Sequence, residues 1–164
     1  MTRAHVALGS NLGDRMATLD AAVRALDADH MTHVMAVSRV YETGPVGGPE
    51  QGPYLNAVAV LETDRDPYEL LDLLMTTEER LGRVRGEHWG PRTADLDLIL
   101  YDGPPLSSPE LTVPHPRARE RAFVLVPLAD ADPFASFPDG ETAVEALARL
   151  GPISGVVPVG ELEA

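Results

Sequence analysis

The sequence predicts an α+β domain of order βαββαβ, an antiparallel sheet with helices packed on it, followed by a C-terminal extension. Three observations predict it. Short apolar runs that are β-branched or alternating recur at 2–9, 34–41, 54–61 and 94–101. Two stretches with helical spacing separate them, and the Gly/Pro-rich segments fall between these elements. At 164 residues the chain is long enough for one core and short for two, so we expect a single domain over 1–164. Its core spans about 1–140, and a helix and tail occupy 141–164.

Residues 2–9 form the first strand, and Ser10-Asn11-Leu12-Gly13-Asp14 is a turn with capping residues that leads into a helix. Met16, Leu19, Val23 and Leu26 mark one face of that helix. The second strand is 34–41, and the Gly/Pro-dense loop 44–53 follows it. Over 54–61, Leu55, Ala57, Ala59 and Leu61 alternate with Tyr54, Asn56, Val58 and Val60, which predicts a third strand with two distinct faces. Asp66, Pro67 and Glu69 open a second helix, which Leu70, Leu71, Leu74 and Leu81 continue until Gly82 ends it. A second loop, 83–91, precedes the strand 94–101. This order is that of a ferredoxin-like sheet with two helices on one face. Prolines interrupt the chain from Pro104 to Pro116. A short helix is expected over 120–130, bent or broken near Pro127, with a further helical stretch at 141–150 and a tail after it.

The formal charge of −13 opposes non-specific attraction to nucleic acid or to an anionic membrane. No apolar run is long enough to span a bilayer, and the N-terminus lacks a secretory pattern, so a cytoplasmic monomer acting on small molecules is expected. All thirteen basic residues are arginine, and seven of them fall between Arg80 and Arg121. Arginine presents a planar fork of donors suited to phosphate oxygens, so this clustering points to a small anionic ligand.

On the strand 94–101, Asp95 and Asp97 project to one side, and Leu96, Leu98 and Leu100 to the other. Two carboxylates side by side repel each other unless a cation lies between them. Magnesium, which takes one or two carboxylates and fills its remaining positions with water and phosphate, suits that role. A solvent-facing pair on an edge strand is the plainer alternative, but the flanking apolar residues suggest a strand inside the sheet. His115, framed by Pro114 and Pro116, has no histidine partner at metal-ligand spacing and is better cast as a phosphate donor. Tyr54 offers a stacking surface, and Asn56 an amide for a heterocycle edge. Gly9 to Gly13 lacks a phosphate-loop ending and reads as structural. A non-catalytic ligand-binding module is a rival reading, and the acidic charge disfavours an RNA-binding sheet.

Together, Ala7 to Gly13, Tyr54-Leu55-Asn56-Ala57, Arg92-Thr93-Ala94-Asp95-Leu96-Asp97 and Leu111-Thr112-Val113-Pro114-His115 resemble the 6-hydroxymethyl-7,8-dihydropterin pyrophosphokinase family. The resemblance implies pyrophosphoryl transfer from ATP to a pterin alcohol, with two Mg2+ ions on Asp95 and Asp97. It further implies that Arg83, Arg85, Arg92, His115 and Arg121 contact the triphosphate, Arg83 and Arg92 among the catalytic set. Leu98 and Thr112 would lie near the nucleotide. Asn56 would pair with the pterin ring between Tyr54 and Phe123; Thr43, Gly44 and Val46 would line its edge, and Trp89 would close over both substrates. Glu110 stands where some members carry arginine, Pro116 where some carry tyrosine, and the segment 83–89 is a residue shorter.

Overall fold

The protein is described by a computed structural model, which covers residues 1–11, 13–43, 54–84 and 94–163. Strand β1 (Thr2–Ser10) leads to helix α1 (Arg15–Asp27), which Asp14 caps by accepting a 3.0 Å hydrogen bond from the Ala17 N–H. Next come β2 (Thr32–Val37), β3 (Val40–Thr43), β4 (Tyr54–Thr63), α2 (Pro67–Val84) and β5 (Asp95–Tyr101). The short pair β6 (Leu106–Ser107) and β7 (Thr112–Val113) follows, then a 3-10 turn at Ala118–Glu120, α3 (Ala122–Ala131), α4 (Ala143–Leu150) and β8 (Val156–Gly160). The main sheet runs β5-β1-β4-β3-β8, with β2 also on β4, and every pairing in it is antiparallel. Among the described residues no helix is long and apolar enough to cross a membrane.

The two faces of β4 separate as the alternation predicts. Leu55, Ala57, Ala59 and Leu61 join a core with Leu19, Val23 and Leu26 of α1 and Leu70 and Leu74 of α2. Val58, on the other face, joins a second core under α3 and α4 with Val124, Leu125, Leu128, Ala143 and Ala146. The extension therefore forms a helical layer on the second face. Helix α3 runs through Pro127, which is itself buried beside Val124, Leu125 and Leu128; packing of that apolar side outweighs the lost backbone donor.

Several expectations are corrected. The second strand is divided into β2 and β3, because Ser38 Oγ accepts from the Val58 N–H at 2.9 Å while the Ser38 N–H donates to the Val58 carbonyl at 2.9 Å. A side-chain oxygen thus replaces one ladder acceptor and kinks the strand. Helix α2 passes Gly82 and ends at Val84. β5 is the terminal strand of the sheet, not an interior one. Its apolar side chains are shared between the two cores, Leu96 and Leu98 in the first and Ile99 and Leu100 in the second, and Glu78 of α2 accepts the Leu96 N–H at 2.7 Å. A register shift opposite His5 and Val6 puts Leu100 into the second core, away from Leu96 and Leu98. The expected tail is β8, hydrogen-bonded along β3, and Leu162 beyond it packs on the first core.

A clasp at the far end of the sheet gives a stability test. Arg65 donates to both oxygens of Asp29, at 2.8 and 2.6 Å, and Thr32 Oγ1 donates to Asp29 at 2.8 Å. The Arg65 hydrogen bonds, aided by Thr32, hold the Asp29 carboxyl down to about 2 from its ordinary 3.8. A carboxylate with a depressed folded pKa contributes stability above its unfolded pKa and loses it as pH falls through the folded one. Asp29→Ala is expected to lose about 2 kcal/mol at pH 7. In urea titrations the gap to wild type should close between pH 3.8 and about 2; a gap that persists at pH 2 would show that the ion pair is not its source.

Candidate active site

Strand register brings the site's residues to one end of the sheet. Gly9 on β1 lies opposite Asn56 on β4 and opposite Asp95 on β5, and Ala7 lies opposite Val58 and Asp97. The first of these rows reads Asp95, Gly9, Asn56 and, on β3, Tyr41. With strands about 4.8 Å apart, Asp95 and Asn56 stand about 10 Å from each other across a residue with no side chain. A Cβ on Gly9 would meet Asn56 Oδ1 at 3.4 Å, so glycine keeps this floor open beside the amide.

Above that floor is a cleft of about 530 Å³, the size of a small-molecule site. Its sheet side carries Asp95, Asp97, Asn56, Tyr54 and Thr43. His115, Arg117, Glu120, Arg121 and Phe123 form the opposite wall. Asn56 is buried, and its Nδ2 donates to Thr43 Oγ1 at 2.9 Å, which fixes the amide and leaves one N–H and the carbonyl for a ligand. Arg121, at the start of α3, holds its guanidinium 5.6 Å from the centre of the Phe123 ring.

His115 is anchored by its own N–H, which donates to the Ile99 carbonyl on β5 at 3.0 Å. Its Nδ1 accepts from the Arg117 N–H at 3.2 Å, so the ring proton belongs on Nε2. Burial lowers the His115 pKa from 6.5, and the charges of Arg121 and Arg117 lower it further against an opposing pull from Asp97. The result is a neutral imidazole with one N–H to give.

Asp95 and Asp97 present two carboxylates on one side of β5. Among the described residues no third acidic or histidine side chain joins them to form a three-ligand metal group. Two carboxylates that border an open cleft suit magnesium, which keeps positions for water and phosphate; a structural zinc site would need more protein ligands.

Of the residues predicted from sequence, Thr43, Tyr54, Asn56, Asp95, Asp97, His115, Arg121 and Phe123 line this cleft. Leu98 does not, since its side chain is buried in the first core on the opposite face of β5. Thr112 is exposed on β7, away from the lining. Gly44, Val46, Arg85, Trp89, Arg92 and the Arg83 side chain lie outside the described residues. Sequence reasoning missed Gly9, Arg117 and Glu120. The glycine stood in the sequence as a strand end, and only pairing with Asn56 shows what its missing side chain admits.

A sequence model of the 7,8-dihydro-6-hydroxymethylpterin-pyrophosphokinase family matches residues 5–133. The chain is 46% identical over 156 residues to the 2-amino-4-hydroxy-6-hydroxymethyldihydropteridine pyrophosphokinase of Methylorubrum extorquens, covering 95% of this chain and 98% of that one. It is 47% identical over 127 residues to the Bacillus subtilis protein of the same name, covering 77% and 76%. Among solved structures it is similar in fold to an HPPK-DHPS in complex with substrates, with TM-score 0.70 and 11% identity, covering 91% of this chain and 45% of that one. A Plasmodium falciparum HPPK-DHPS gives TM-score 0.71 at 15% identity, covering 90% and 45%. The chain thus spans about half the length of these two solved chains.

Proposed function

Since this chain belongs to the 7,8-dihydro-6-hydroxymethylpterin-pyrophosphokinase family and transfers pyrophosphate from ATP to 6-hydroxymethyl-7,8-dihydropterin in folate biosynthesis, we propose that its reaction takes place in the cleft between Asp95, Asn56 and His115. One observation supports this reading above the others. Two unshared roles, an acidic pair beside phosphate donors and an amide beside aromatic rings, meet in a single cleft about 10 Å across its floor.

In this reading Asn56 pairs with the pterin ring edge, held in orientation by Thr43, while Tyr54 and Phe123 cover the ring faces. Thr43, Gly44 and Val46 border the pterin. Asp95 and Asp97 hold Mg2+, with two ions expected. Bound there, magnesium supplies charge neutralisation at the phosphoryl oxygens and lowers the pKa of the pterin hydroxyl. The His115 Nε2–H and the Arg121 guanidinium donate to phosphate oxygens and stabilise the charge that shifts onto them. Arg83, Arg85 and Arg92 complete the phosphate grip in the same proposal, with Trp89 over the substrates and Thr112 and the backbone of Leu98 near the nucleotide. The pterin oxygen attacks the β-phosphorus in line. The bond from that phosphorus to the oxygen it shares with the α-phosphate breaks, and AMP departs with that oxygen.

The reading extends to the fold. The order β5-β1-β4 followed by β2 and β3, all antiparallel with two helices on one face, supports a ferredoxin-like core in which β2 and β3 together serve as the second strand.

Purified protein mixed with ATP, Mg2+ and 6-hydroxymethyl-7,8-dihydropterin is expected to release AMP only when the pterin is present, and a chelator in excess is expected to stop it. Pterin-dependent ADP would mean transfer of a single phosphoryl group. Activity that survives the chelator would remove the metal from the proposal and leave the transfer intact.

A further inference from the structure

Granted the pyrophosphoryl transfer on which this rests, we propose that Arg117 is a further ATP-binding residue, a second guanidinium that grips the polyphosphate beside Arg121. The chain carries 26 acidic residues against 13 arginines, so carboxylates are in surplus for every arginine. Away from the cleft that surplus is used. Arg3 lies against Asp132, Arg15 against Glu42, Arg24 against Asp20, Arg39 against Asp130 and Arg65 against Asp29. Arg119 and Arg149 share Glu141. Among the described side chains only Arg80, Arg117 and Arg121 have no carboxylate within ion-pair distance, and two of those three line this one cleft.

Glu120 sharpens the point. It precedes Arg121 directly, lines the same cleft, and pairs with neither arginine. In so acidic a protein, guanidiniums left without an internal partner are available to a ligand whose oxygens match their fork of donors. Three oxygens on each terminal phosphoryl group provide that match, and a nucleobase does not.

The backbone holds Arg117 in register with a residue already assigned to phosphate. Its N–H donates to His115 Nδ1 at 3.2 Å, and its carbonyl accepts from the Glu120 N–H at 3.0 Å. These bonds fix its Cα between the imidazole and the 3-10 turn, and His115 and Arg117 line the same cleft. Both bonds are made by the main chain. Changing the side chain leaves them, and the orientation of His115, in place.

The test is titration calorimetry of the full chain with Mg2+ and ATP, ADP or AMP in turn. Arg117→Ala is expected to weaken ATP binding about tenfold, one charge-assisted contact, and AMP binding less than about twofold. Arg117→Lys should recover part of the loss, because it restores the charge without the fork. The thermal midpoint should stay at the wild-type value, since no ion pair is removed. If Arg117→Ala does not fold, Arg117→Gln carries the same comparison. An unchanged ratio of ATP to AMP affinity overturns the role of Arg117. If wild type instead makes no AMP from ATP and pterin, the transfer reading itself falls, and the two failures are told apart.

Discussion

Asp97→Ala is expected to lower kcat by about a thousandfold or more while leaving the stability of the fold close to that of wild type. Asp97 and Asp95 lie two residues apart on one side of β5, about 6.6 Å along the strand. Removing one carboxylate removes half of the oxygen donors proposed to hold magnesium. Asp97 is solvent-exposed, so its truncation opens no cavity. Steady-state assay of pterin-dependent AMP, paired with a urea titration, measures both halves. Activity within tenfold of wild type would sink the proposed metal role, and a marked fall in the urea midpoint would mean that the lost activity reflects damage to the fold.

The second large effect falls on stability alone. Leu61 is fully buried on β4, which pairs on both sides, and its side chain belongs to the core under α1 and α2. Leu61→Ala is expected to destabilise by about 3 kcal/mol, the transfer term plus the cavity left behind. That is a large share of the 5–15 kcal/mol, roughly, of an ordinary domain, yet the protein should remain folded at room temperature. Its kcat should remain near wild type for two geometric reasons: Leu61 faces away from the cleft, and it lies five residues, about 17 Å, along the strand from Asn56. Equilibrium unfolding gives the first number and the AMP assay the second. A kcat reduced tenfold in fully folded Leu61→Ala would show that the two cores are coupled, contrary to this separation.

The elements legible in the sequence were those in which a local pattern carries the whole signal. Alternation over 54–61 gave both faces of β4, helical spacing gave α1 and most of α2, and the Asp-x-Asp pair in its strand gave the acidic side of the cleft. Where pairing between distant segments decided the outcome, local pattern was silent. Strand β8 carries Pro158 and exposed Val157 and Val159, and it is held by main-chain bonds to β3 that leave no mark on its side chains. The Ser38 substitution in the ladder that separates β2 from β3 involves Val58, twenty residues on. Leu100 changed sides because of a register shift against β1. β5 looked interior because its apolar side chains are buried in the two cores, although it ends the sheet.

The sequence by itself determined the chemistry available: thirteen arginines and no lysine, an acidic pair at strand spacing, an amide and aromatic rings, and the motifs that identify the family. Only the tertiary structure decided which of these share a space. It put Gly9 between Asp95 and Asn56, turned Leu98 away from them, gave His115 a single donor nitrogen through the Arg117 N–H, and left Arg117 and Arg121 without carboxylate partners among the described residues. The physical reason is that side-chain type is a local property, whereas adjacency and the pairing of charges depend on strand register and on which helices close over the sheet.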